Sequence, residues 1–112
     1  MKEYQMGEFE EIVLLTVGVL YPEAYGVALK DEIETRLKRK VSVGALQSAL
    51  RRMEKKGYLH SKEGEPNAER GGKPKRYFTI TAYGKKALDH SKDVRLALYN
   101  AIPPVALDFK FT

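Results

Sequence analysis

Between Glu69 and Thr81 the sequence reads ERGGKPKRYFTIT, which crowds Arg70, Lys73, Lys75 and Arg76 around the adjacent Gly71 and Gly72. Glycines let a loop turn tightly and approach a large surface closely. One sign of charge at such a turn suits the neutralisation of phosphates or entry into a minor groove. A second group lies upstream, where Ser42, Ala45, Gln47 and Ser48 lead into Arg51, Arg52 and Lys55. At helical spacing these side chains form one face that starts small and polar and ends basic, as a helix entering a major groove requires. Gln47 is the expected base reader, since a glutamine amide pairs bidentately with adenine. Ser42 is the expected N-cap, at a helix start whose free N–H groups favour a phosphate. Arg52 has a second reading, an ion pair with Glu54 or with an acid on the preceding helix.

These residues need elements to hold them. Residues 7–20 (GEFEEIVLLTVGVL) predict a first helix, with Glu8, Glu10 and Glu11 at its positive end and apolar residues on more than one side. Such a helix is expected to be buried from two directions, by its own core and by a partner subunit. A turn at Tyr21 and Pro22 leads to a second helix with a stripe of Tyr25, Leu29, Ile33 and Leu37, where Tyr25 is read as packing; Lys38, Arg39 and Lys40 suit its negative end. The third helix spans 41–57, with Leu46, Ala49, Leu50 and Met53 inward and Gly57 as its stop. Two β-type runs, YLHSKEGE and KRYFTIT, then flank a long turn, and one of Tyr77 and Phe78 must face the core. Residues 82–102 predict a fourth helix, ended by Pro103 and Pro104, with an apolar tail beyond.

The order helix, helix, helix, hairpin, helix is that of a winged helix-turn-helix with an added C-terminal helix: mainly α with a small β-hairpin. Two parts are expected, a DNA-binding domain over 1–81 and a dimerisation helix and tail over 82–112. Leu14 and Leu15 of the first helix and Val94, Leu98 and Ile102 of the last are the expected dimer surface.

Composition narrows the function. The chain has 112 residues, 43% of them hydrophobic and 31% charged, which fits one globular domain. Its net charge of +5 favours an acidic partner. With no cysteine, thiolate chemistry, disulfides and Cys-containing zinc sites are excluded. The only histidines, His60 and His90, form no metal-binding pair, and Gly71-Gly72 lacks the surroundings of a phosphate-cradling catalytic loop. No enzyme activity, cofactor or metal is therefore expected. The longest apolar run, Ile12 to Tyr21, is too short to span a bilayer, and no signal peptide is evident, so a cytoplasmic protein that avoids membranes is expected.

VSVGALQSALRRMEKKGYL followed by ERGGKPKRYFTITAYGKKAL resembles the PadR family of transcriptional regulators, and GEFEEIVLLTV and AYGVAL look like that family's first two helices. The resemblance covers roughly residues 6 to 90. It implies a winged-helix domain that binds double-stranded DNA and dimerises through its C-terminal helix, often as a repressor released by a small molecule. Family members often carry Tyr where this chain has Gln47, and the short C-terminal part is similar to the family's compact branch. The competing reading is a winged-helix interaction module that docks an acidic protein.

Overall fold

The computed structural model describes residues 4–66 and 74–110. Helix α1 (Glu8–Leu20) opens with three acidic residues in its first turn, where the helix dipole is positive. Val13, Leu14 and Val17 recur on one side and are completely buried. One expectation for this helix changes. Leu14, read as part of a dimer surface, lies wholly within its own protomer's core and presents nothing to a second chain. Only one face of α1 is covered, and Leu15 (49% exposed) and Val19 (55%) remain on the other.

Helix α2 (Gly26–Leu37) buries Leu29 and Ile33, whereas Tyr25 stands before it as the N-cap and Leu37, at the far end of the expected stripe, is exposed. Its end is held by Glu34, whose carboxylate accepts from Lys30 at 3.2 Å and from the backbone N–H of Val41 at 2.7 Å. The Val41 bond, chiefly, keeps Glu34 below its ordinary pKa. Lys38 closes the helix in the left-handed region (φ 54°), which reverses the chain without a glycine.

Helix α3 (Val43–Lys56) starts on Ser42, whose hydroxyl accepts from the Ala45 N–H at 3.2 Å, and stops on Gly57 at φ 85°. Leu46, Ala49, Leu50 and Met53 are its buried stripe. Strands β1 (Leu59–Pro66) and β2 (Pro74–Ile80) pair antiparallel from Leu59 opposite Ile80 to Glu63 opposite Arg76, with an irregularity before Pro66 pairs with Pro74. Phe78, the inward member of the Tyr77–Phe78 pair, joins the core. Its N–H donates to the carbonyl of Ala24 at 2.8 Å, which ties β2 to the segment entering α2.

Helix α4 (Ala82–Ala101) is capped by Thr81, whose hydroxyl accepts from Gly84 N–H at 3.0 Å and donates to the Gly57 carbonyl. Gly84 is obligatory here, because a Cβ at this position would collide with the Tyr58 carbonyl. Only Gly84 and Ala87 of α4 are buried, and every residue from 92 to 110 is exposed. The core therefore lies among α1, α2, α3 and the hairpin, with the base of α4 closing it. A short 3₁₀ turn follows at Pro104–Leu107.

Candidate nucleic-acid interface

The Ser42 cap and the buried Leu46–Leu50 stripe together decide what α3 shows to solvent. Ala45, Gln47, Arg51, Arg52 and Lys55 are exposed and Ser48 is half-buried, so the expected recognition face lies outward. Val43 joins it at the helix start with more than half its surface free. An apolar side chain there matches a thymine methyl as well as it matches a core, and its position in the first turn was the signal for it.

Gln47 lies close to the start of α2. A Cβ on Gly26 would come within 3.2 Å of the Gln47 Nε2, so the absence of a side chain at 26 leaves room for the amide. Gln47 shares a groove of about 270 Å³ with Tyr25, Lys30, Lys75 and Arg76. The groove thus joins Gln47 of α3 to Lys75 and Arg76 of the hairpin, whereas Ser48, Arg51, Arg52 and Lys55 line a separate surface of α3. Lys75 projects its ammonium over the Tyr25 ring, 4.2 Å from the centroid, and Tyr77 meets the same ring edge-on at 5.9 Å. Tyr25, read from the sequence as packing, packs against both Lys75 and Tyr77. Arg76 donates to Ser61 at 2.9 Å and reaches Glu63 at 3.4 Å, while Ser61 donates to Glu54 of α3 at 2.7 Å. This chain of hydrogen bonds connects the hairpin to α3. Arg70, Gly71, Gly72 and Lys73, the tip of the expected wing, lie outside the described residues.

The cations of α3 divide into two groups. Arg52 and Lys56 donate to the carboxylate of Glu10 on α1, at 2.8 and 3.1 Å. Arg52 is indeed ion-paired, but with neither Glu54 nor an acid of α2. Among the described residues, Arg51 and Lys55 have no ion-pair partner. Burial would raise the Glu10 pKa, but the Arg52 hydrogen bond, then the Gly7 N–H and Lys56, outweigh it and hold the group below the ordinary carboxylate value. Among the described residues no cluster of His, Asp or Glu is placed to hold a metal, and no helix is long and apolar enough to cross a membrane.

Residues 9–90 match the model of the transcriptional regulator PadR-like family. The chain belongs to this family. Compared with curated proteins it has no match. Among solved structures it is similar to a PadR-like transcriptional regulator of Bacillus cereus, with a TM-score of 0.70 at 20% identity over 91% of this chain and 93% of that one. It is also similar to a PadR-like transcription factor of Bacteroides fragilis, with a TM-score of 0.70 at 20% identity over 82% and 84%. The third likeness is to hsRosR-SG in a complex structure, with a TM-score of 0.71 at 21% identity over 89% and 81%. These likenesses are of fold, and they make α2 and α3 the helix-turn-helix and β1–β2 the wing of a PadR-like winged helix.

The PadR-like chain keeps the remaining candidate dimer residues on its surface. Leu15, Val94, Leu98 and Ile102 are all at least a third exposed, and Leu96 and Tyr99 join them. Leu15, Leu96 and Tyr99 line an open groove of about 610 Å³ between α1 and α4.

Proposed function

We propose that this PadR-like chain is a sequence-specific DNA-binding repressor that works as a homodimer and is released by a small molecule. One observation carries the reading: Gln47 on the outward face of α3 and the hairpin cations Lys75 and Arg76 line a single groove. Ser42, Ala45, Gln47 and Ser48 enter the major groove, and Gln47 reads a base. Arg51, Lys55, Lys75 and Arg76, with Arg70 and Lys73 at the wing tip, meet phosphates. Residues 1–81 serve the reading of DNA and 82–112 the assembly, although Gly84 and Ala87 also belong to the core of the first part.

Dimerisation is supported by α4, whose residues from 92 onward are all exposed in the described structure. Two copies would present their recognition helices to half-sites about 34–36 Å apart, one helical turn of DNA. The groove between α1 and α4 supports the effector, since its volume of about 610 Å³ is that of a small-molecule site. A cytoplasmic location follows from the same reading.

The decisive experiment is fluorescence anisotropy with a duplex from upstream of the chain's own gene and a scrambled duplex of equal length, at physiological salt. A gap of about tenfold or more in affinity is expected for operator readout. Equal binding to several promoters and to their scrambled versions would reassign the basic faces to an acidic protein.

A further inference from the structure

Two consecutive glutamates of α1 reach in different directions. Glu11 accepts from Ser91 at 2.8 Å and from Arg95 at 2.9 Å, both on α4. Glu10 accepts from Arg52 and Lys56 on α3, and from the backbone N–H of Gly7 at 3.0 Å. Glu10 is only 5% exposed, so a single buried carboxylate takes two cations from the helix that faces DNA.

The consequence is geometric. Near its end α3 carries two basic stripes, Arg51 with Lys55 and Arg52 with Lys56, each pair one turn apart. Neighbouring residues stand about 100° apart around a helix. Both stripes are equally attractive to phosphates, so charge alone leaves the roll of the helix on the duplex undetermined. A different roll would turn Gln47 away from the bases. Pairing one stripe removes that ambiguity, and the pairing is firm because the carboxylate is buried and ionised. A buried charge left without its partners is costly.

We propose that Glu10 is a positioning residue for DNA reading: by holding Arg52 and Lys56 against α1 it leaves Arg51 and Lys55 as the only stripe for phosphates and so fixes the roll of the recognition helix. Arg52 is thereby removed from the set of DNA contacts. This inference rests on the DNA-binding reading above.

The test is the salt dependence of duplex binding, which counts phosphate contacts at about 0.9 in slope for each. Arg51→Met is expected to flatten the slope by about 0.9, and Arg52→Met to leave it unchanged. Glu10→Gln frees Arg52, while Lys56 keeps its bond to the Gln5 carbonyl at 2.8 Å. The slope then steepens by about 0.9 for each cation that reaches a phosphate, and the preference for operator over scrambled duplex narrows. Glu11→Gln makes the same change of charge one residue away and leaves the slope alone. A slope flattened as much by Arg52→Met as by Arg51→Met would overturn the inference and leave the DNA reading intact. A folded Glu10→Gln variant with the wild-type slope would do the same. Where circular dichroism shows that Glu10→Gln has not folded, the two arginine variants decide. Failure of the wild-type chain to bind any duplex at low salt would remove both the inference and the reading beneath it.

Discussion

Gly84 and Glu10 show how single residues hold this molecule together in ways that a composition does not announce. A methyl group at 84 meets the Tyr58 backbone, which cannot yield without moving the junction of α3 and β1. Gly84→Ala is expected to destabilise the fold by about 2–3 kcal/mol, measured by urea unfolding. Glu10 has a depressed folded-state pKa, so its stabilisation is fully present above its ordinary value of 4.5 and is lost as pH falls through the lower folded value. Glu10→Gln is expected to cost about 2–3 kcal/mol at neutral pH. That difference from the wild-type chain should shrink steadily below pH 4.5 in denaturation curves. The Ser42 cap was legible because a cap bonds within its own turn. The Glu10–Arg52 pair was not, since its members are 42 residues apart and nothing in either local pattern names the other. Leu14 was misplaced for a related reason: a helix apolar on several sides does not say which side meets its own core.

The elements themselves were largely legible, because each carries its own punctuation. Helix α3 was expected over 41–57 and runs Val43–Lys56, between a serine cap and a glycine stop. The hairpin and the start of α4 at Ala82 follow the β-branched runs and the Thr81 cap. Two features escaped. The left-handed closure of α2 falls on Lys38, a residue that gives no sign of it, and the bond from Phe78 to Ala24 is a single link without periodicity. At this scale the wing can be separated from the recognition helix by experiment. The swap Arg70→Glu with Lys73→Glu is expected to weaken binding to every duplex and to flatten the salt slope by about 0.9 for each lost contact. Gln47→Ala should instead change the order of preference among operator variants, by about 1–3 kcal/mol at one base pair, with little loss on scrambled DNA. Uniform loss in the Gln47 variant would exclude base reading by that side chain.

For the whole molecule the governing fact is that it is drawn out. Its radius of gyration is 17.2 Å, against about 13 Å for a compact chain of this length. The sequence marked α4 as a helix with an apolar side but could not say how little of it the core would cover. Leu98 (66% exposed) and Tyr99 (65%) stand on the uncovered part. Light scattering at micromolar concentration should give twice the chain mass of 12.7 kDa. Leu98→Asp with Tyr99→Asp should raise the dissociation constant by about tenfold or more, because each buried carboxylate would lack a partner. A monomeric wild-type mass would exclude the dimer. The close seating of Gly84 on Tyr58 has one more outcome, and it is a matter of leverage. The base of α4 abuts both the end of α3 and the root of the β1–β2 hairpin, while its far end lies about 30 Å away. A tilt of roughly 5° about that seat sweeps the far end through nearly 3 Å, over a helix rising about 1.5 Å per residue. Read in reverse, whatever grips the free end of α4 holds a long arm whose short end bears directly on α3 and the hairpin, the surfaces proposed to face DNA.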